Sequence, residues 1–314
     1  MLHTKKTIAV MTSGGDAPGM NAAIYGVYKA AKAFDYRVLG ICNGFTGLIQ
    51  EDIFELTDSV TTDIMHLGGT ILGTSRCDAF LKPDVQKLAA DICRALQIDA
   101  IVVIGGDGSF RGAQMLARQN IGVIGIPATI DLDIGCTDYT IGFDTAVNSA
   151  MESIDKIKDT SRAHSCCSVI EVMGRKAGYI ALWCGIASNA SCILIPEDNK
   201  CDTLIEDLKA KNFHSGTIVI AEGAGRASEI AEKIQEGLHI HTRPNVLGFL
   251  QRGGSPTCKD RIYGRMMGGY AVELIVQGTL NQIIAMKRDT LRHLDLEEGL
   301  KKTKELPKDF HCYF

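Results

Sequence analysis

The run IDAIVVIGGDGS, residues 98–109, decides how this chain is read. Its first part is apolar and rich in β-branched residues, with almost no polar alternation. A strand of that kind is buried on both faces, and such strands belong to parallel sheets flanked by helices. It stops abruptly in a glycine turn that encloses one carboxylate, Asp107. Outward from this run the same style repeats. TIAVMT (7–12), RVLGIC (37–42), GVIGIPATID (122–131), HSCCSVIEVMG (164–174) and GTIVIAEG (216–223) all read as strands. Between them lie stretches of helical period: MNAAIYGVYKAAKAF, PDVQKLAADICRALQ (83–97), ASEIAEKIQEG (227–237, stopping at Gly237) and GRMMGGYAVELIVQG (264–278). The alternation predicts an α/β fold of two domains, each a largely parallel sheet covered by helices on both faces, with an active site in the cleft between them.

The bulk properties narrow the function. The chain has 314 residues, 46% of them hydrophobic, and a net charge of −4, so it can bury a core and has no general attraction for nucleic acid or anionic membrane. No apolar run approaches membrane-spanning length, and the start, MLHTKKTIAVMTSGG, reads as a first strand and not as a signal peptide. The eleven cysteines are scattered without a CxxC pair. They read as reduced thiols used as small hydrophobes, which places the protein in the cytoplasm.

Four glycine-rich turns follow strand candidates: SGGDAPG (13–19), GGDGS (105–109), EVMGRKAG (171–178) and AEGAG (221–225). Glycine lets backbone N–H groups approach a phosphate, and a following helix start favours negative charge. There is no GxxxxGK[ST] and no GxGxxG after the first strand, so neither common nucleotide fingerprint is present. Asp107, flanked by glycines, suits Mg²⁺ held mostly by substrate phosphates; its bland reading is an Asx turn. In PATIDLDIG, Asp131 falls at the predicted end of a strand. In extended chain Asp131 and Asp133 face one side and Leu132 the other. One carboxylate then takes a proton from a hydroxyl while the other shapes the local field. The competing reading is a capped turn with two solvated acids.

Taken together, MTSGGDAPGMNAAI, GGTILGTSR, VVIGGDGS, IPATIDLDIGCTDYTIGFDTA, EVMGRKAGYIAL and VLGFLQRGGSP resemble the 6-phosphofructokinase family, of the short bacterial type, in order from residue 7 to about 280. The resemblance implies a kinase that moves the γ-phosphoryl of ATP to the 1-hydroxyl of fructose 6-phosphate with Mg²⁺, usually as a homotetramer. It implies a larger nucleotide-binding domain, 1–138 plus 253–305, and a smaller sugar-phosphate domain, 139–252 plus 306–314. Asp131 would be the base, with Arg76, Thr129, Asp133 and Arg175 beside it. Gly15, Arg76, Cys77, Gly106, Asp107, Gly108 and Ser109 would line the nucleotide, Asp107 organising the metal. Thr129, Ile130, Met173, Gly174, Arg175, Glu222, Phe249 and Arg252 would surround the sugar, with Arg243 arriving from a neighbouring subunit.

Departures from the pattern carry information. Leu132 stands where the family has Asn, Cys166 where it has a second cross-subunit arginine, and Phe249 where it has a phosphate-pocket histidine. These losses open two alternatives: a kinase for another sugar phosphate or polyol, or a non-catalytic regulatory paralogue. Arg162 or His164 would be the compensating residue. Cys77 and Cys42 replace aromatics on the nucleotide side. Pyrophosphate-using relatives carry an acid where this chain has Gly108 and a lysine where it has Ala128, so ATP is the expected donor. Tyr25, Tyr28 and Asp58 replace effector-site arginines while Lys158 keeps one charge, which predicts little response to ADP or phosphoenolpyruvate.

Overall fold

The structure, a computed structural model, describes residues 5–198 and 200–306. The chain divides into two compact units. The first holds the described residues of Met1–Thr129 with Ile134–Asp144 and Gly254–Lys304; the second holds Ile130–Asp133, Thr145–Gly253 and the described residues from Glu305 on. Asp131 and Asp133 therefore belong to the second unit. The expected assignment of the tail to the smaller domain falls, for 307–314, outside the described residues.

In chain order the first unit contributes β1 (Thr7–Ser13), β2 (Arg37–Ile41), β3 (Ile53–Glu55), β4 (Ile98–Gly105) and β5 (Gly122–Pro127). The second follows with β6 (Cys167–Val172), β7 (Cys192–Leu194), β8 (Gly216–Ala221) and β9 (Thr242–Val246). The chain then returns to the first unit for β10 (Gln282–Lys287) and β11 (Thr290–Asp295). The first sheet has the order β11-β10-β5-β4-β1-β2-β3. Its five central strands are parallel and its two edges, β3 and β11, antiparallel. The second sheet, β7-β8-β6-β9, is parallel throughout.

The central strands explain themselves. β1 is buried at every position and β4 at all but one, as a strand covered on both faces must be. Met11, Ile101, Val103, Phe110 and Leu116 lie in one apolar cluster of the first unit. Val169, Leu194, Ile218, Ile220, Ile230 and Ile234 form the core of the second. Helices Met20–Ala33 and Cys258–Val276 pack with backbones nearly touching: a Cβ on Gly268 would lie 2.3 Å from the Ala23 carbonyl oxygen, so only glycine fits.

Three boundaries differ from expectation. β5 ends at Pro127, four residues before Asp131; beyond it Ala128 makes only an isolated bridge to Ile141. The helix Ala227–Leu238 runs through Gly237 and is ended by His239 in the left-handed conformation, φ 56°. The late helix begins at Cys258, six residues earlier than its apolar period suggests, because the Thr257 side chain caps it by accepting from the Asp260 N–H.

Candidate active site

In the first sheet the strand order reverses between β1 and β4, the place where open α/β sheets bind ligands. Ser13 and Gly105, the last residues of these strands, are register partners, so the turns that follow lie side by side. A Cβ on Gly105 would come within 2.5 Å of both the Ser13 carbonyl oxygen and Ser109 Oγ, so the turn admits only glycine. Ser109 donates its hydroxyl to the Ser13 carbonyl at 2.9 Å and is buried. Its side chain is thus a staple between the two turns. That leaves its backbone N–H, in the first turn of the helix, as the group to face a phosphate.

Gly106 caps the helix Asp107–Arg118. The first-turn N–H groups of Asp107, Gly108 and Ser109 have no intrahelical acceptor and sit at the positive end of the helix dipole. Nothing lies within 4 Å of a Cβ built on Gly108. The Asp107 carboxylate is half exposed and accepts from Arg111 Nε at 3.2 Å and Nη2 at 3.0 Å. Among the described residues no group of three or more His, Cys, Asp or Glu gathers as a metal cage. One accessible carboxylate at a glycine-lined helix start is a donor set that suits Mg²⁺, which takes most of its ligands from phosphate and water.

Hydroxyl side chains tether the loop that carries Arg76 to this cradle. Thr12 Oγ1 donates to the Gly73 carbonyl at 2.7 Å, and Thr74 Oγ1 donates to the Gly14 carbonyl at 2.8 Å. Arg76 and Gly15 are exposed there. Cys77 instead packs against the apolar cluster containing Phe45 and Phe80, so its thiol is partly spent on core contacts. Thr129 lies alongside, its Cβ 3.9 Å from a Cβ built on Gly106. Thr140 Oγ1 donates to the Thr129 carbonyl at 2.7 Å and steadies it.

The second unit assembles the other candidates by the same rule. β8, β6 and β9 are neighbours; Val172 pairs with Ala221, and Glu171 with Val246. Their carboxyl ends lead to Glu222, to Met173–Gly174–Arg175, and to the turn Gly248–Arg252, respectively. Glu222 Oε1 accepts from the N–H of Gly174 at 3.2 Å and of Arg175 at 2.7 Å. Arg175 is exposed and left-handed, φ 54°, a backbone that this pair of bonds holds in place.

Asp131 is 2% exposed. Burial, then the Asp133 charge, push its carboxyl up from 3.8 to about 6, while Arg252 and Arg175 pull it down and Glu222 adds a further upward push. Four charged candidates, Asp133, Arg252, Arg175 and Glu222, therefore act on one carboxyl. The local geometry is not the extended alternation expected. Leu132 has φ 56°, so the chain turns left-handed between the two acids, leaving Asp131 buried and Asp133 exposed. Asn, the family's residue at this place, tolerates that backbone better than Leu does. Here Leu132 is 5% exposed, and its burial offsets the strain.

Other expectations are revised. Ile130 is wholly buried, so its side chain belongs to the core and not to a substrate surface. Phe249 is 81% exposed. Cys166 precedes β6 and so stands at the opposite end of that strand from Met173, roughly 20 Å away at ~3.3 Å per residue. It lines a separate cavity of about 270 Å³ together with Arg162 and Lys158; His164 does not line it. Arg243 pairs with Ser168 and lies toward that same end, exposed on the edge strand. Neither residue is part of the Asp131 constellation of its own chain. At the effector-type positions, Asp58 is engaged by the Tyr28 hydroxyl at 3.1 Å, by the Lys32 ammonium, and by Lys29 at 3.6 Å. The Lys158 ammonium donates to the Ser188 carbonyl. Sequence reasoning missed two residues, Arg111 and Gln251; i, i+4 spacing from Asp107 was the available signal for the first.

The first unit carries a glycine-lined helix start with one accessible carboxylate, and the second a buried carboxyl of raised pKa under the charge of two arginines; these are the parts that phosphoryl transfer uses. The chain belongs to the phosphofructokinase family, whose model matches residues 7–275. It is 44% identical over 311 residues to the ATP-dependent 6-phosphofructokinase of Clostridium botulinum strain Hall, covering 98% of this chain and 97% of that protein. It is 45% identical over 313 residues to the enzyme of the same name from Thermoanaerobacter sp. strain X514, with the same coverage. Among solved structures, the phosphofructokinase of Saccharomyces cerevisiae superposes with a TM-score of 0.88 at 31% identity, over 95% of this chain and 45% of that one. A pyrophosphate-dependent phosphofructokinase from Marinobacter aquaeolei, at 24% identity, 96% and 86% coverage and a TM-score of 0.84, shares the fold.

Proposed function

We propose that this chain transfers the γ-phosphoryl of ATP to the 1-hydroxyl of fructose 6-phosphate, giving fructose 1,6-bisphosphate in glycolysis. The observation that carries this reading is the buried Asp131 carboxyl, raised to about 6 and set against Arg175, Arg252 and Glu222. Such a group is ionised at neutral pH yet basic enough to accept the proton of the attacking hydroxyl late in a loose transition state. Arg252 binds the sugar's 6-phosphate. The second oxygen of Glu222 remains for a sugar hydroxyl, since its first is occupied by the loop. Arg175 and Arg76 stabilise charge on the transferring group. The helix start at Gly106–Ser109, with Gly15, receives the nucleotide phosphates. Asp107 would hold Mg²⁺, which when bound neutralises charge on the β- and γ-phosphate oxygens.

ATP is favoured over pyrophosphate because Gly108 leaves open space where an acid would crowd and repel an α-phosphate. Arg243, at the far end of β9 from Arg252, serves a site on another copy, which makes the working form a homo-oligomer, a tetramer by analogy with the family. Among the described residues no helix is long and apolar enough to cross a membrane.

The test is coupled turnover of the purified protein with ATP and Mg²⁺ against fructose 6-phosphate, a panel of free and phosphorylated sugars, and pyrophosphate as donor. Fructose 6-phosphate with ATP should give the highest kcat/KM. A higher value for another acceptor, or for pyrophosphate, overturns the assignment. Asp131→Ala should cut turnover by ~10²–10⁴-fold.

A further inference from the structure

Gln251 sits in an exposed turn, between Leu250 (47% exposed) and Arg252, with Phe249 (81% exposed) two residues before it, yet its own side chain is wholly inaccessible. Its amide uses both of its functions. Oε1 accepts the Met173 N–H at 3.2 Å, and Nε2 donates to the Gly248 carbonyl at 3.1 Å. Neither acid nor hydrocarbon of similar length can serve both partners.

The two partners are not incidental. Met173, Gly174 and Arg175 present three successive N–H groups, and all three are taken by side chains: the first by Gln251, the next two by Glu222 Oε1. Gly174 and Arg175 have φ of 140° and 54°, backbone that regular sheet pairing does not supply. This loop depends on those two side chains for its course. Gly248, φ 53°, opens the turn whose last residue is Arg252. One amide thus joins the loop bearing Arg175 to the turn bearing Arg252.

We propose that Gln251 is a positioning residue that fixes the separation of Arg175 and Arg252, and so matches the site to an acceptor that carries its phosphate a set distance from the reacting hydroxyl. Resting on the phosphoryl-transfer reading, it adds the element that measures the acceptor. Gln251 touches no substrate; it acts through the two arginines. The nucleotide-binding residues lie on other strands, in the first unit, and owe nothing to this bridge.

The experiment compares wild-type enzyme with Gln251→Leu and the shorter amide Gln251→Asn. Equilibrium binding of fructose 6-phosphate, KM for each substrate, and the pH profile of kcat/KM are measured on each. Stranding a buried N–H and a partly buried carbonyl should weaken fructose 6-phosphate by about tenfold or more in Gln251→Leu, with KM for ATP changed less than about twofold. Misplaced arginines should also move the acid limb of the profile to higher pH, which a loss of stability alone does not do. Gln251→Asn reaches only one partner and should fall between, serving as the test if Gln251→Leu does not fold. Unchanged fructose 6-phosphate binding in the folded variant, or equal weakening of both substrates with an unmoved acid limb, refutes the positioning role. Wild-type protein that neither binds nor phosphorylates fructose 6-phosphate refutes instead the function on which it rests.

Discussion

Substituting Asn for Asp133 removes the like charge that, after burial, does most to raise the Asp131 carboxyl. With that carboxyl at about 6, only a tenth or so is ionised one pH unit lower, so kcat/KM of the wild type should fall about tenfold per unit below 6. The second ionisation of a phosphate ester also lies near 6, so the wild-type profile alone does not isolate the base. The difference between Asp133→Asn and wild type does, because the substrate is common to both. The acid limb of Asp133→Asn should shift to lower pH; that of Arg252→Met should shift to higher pH, though with much weaker sugar binding. The same carboxyl has a consequence for stability. Its native pKa exceeds its unfolded value, so the folded state binds the proton more tightly. Stability then falls as pH rises from 3.8 to about 6, and the ionised form costs roughly 3 kcal/mol at neutral pH. Asp131→Asn, inactive, should therefore be more stable than wild type by up to ~3 kcal/mol in urea at pH 8, and scarcely so at pH 4. The reasoning is refuted by an acid limb that Asp133→Asn leaves in place, or by an Asp131→Asn advantage equal at both pH values.

At residue 132 the backbone itself is open to measurement: Leu132→Gly should unfold at higher denaturant than Leu132→Ala, by about 1 kcal/mol, because glycine relieves the left-handed φ that alanine keeps. Equal stability of the two would remove strain from the account. Arg111 pairs with Asp107; on the proposed reading that Asp107 holds the metal, Arg111→Gln should lower the Mg²⁺ concentration for half-maximal rate by about twofold, the scale of an exposed i, i+4 pair. Millimolar ADP or phosphoenolpyruvate should leave KM for fructose 6-phosphate nearly unchanged, since Lys29, Lys32 and Tyr28 already serve Asp58. A marked shift in initial-rate curves would contradict this.

Strands β1, β4, β6 and β8 were legible because both of their faces are covered, which leaves long apolar runs. β9, TRPNV, was not: it is an edge strand with a proline and mostly exposed positions, so no period marks it. β11, TLRHLD, is hidden for the same reason. The glycine turns at 105 and 174 were readable as tight turns at strand ends, and close approach of the chain to itself requires glycine at both. The left-handed turn at Leu132 was not, since leucine is a poor signal for that backbone and its cost is met by tertiary burial. Gln251, and the staple formed by the Ser109 side chain, were missed for a shared reason. A polar residue in a loop reads as solvated or ligand-binding, and only the fold shows that each spends its hydrogen bonds inside the protein.

Gly105 and Gly108 stand three residues apart in one turn, and natural selection sees them differently. Gly105 is enforced by the chain's own atoms, so any change there is a folding defect. Gly108 meets no protein atom, and alanine there would even strengthen the helix, by up to about 1 kcal/mol. On the proposed reading, the phosphoryl donor is what a side chain added there would meet. Under that reading, a substitution at this position would change donor preference while leaving the scaffold untouched, which uncouples the choice of donor from the stability of the fold.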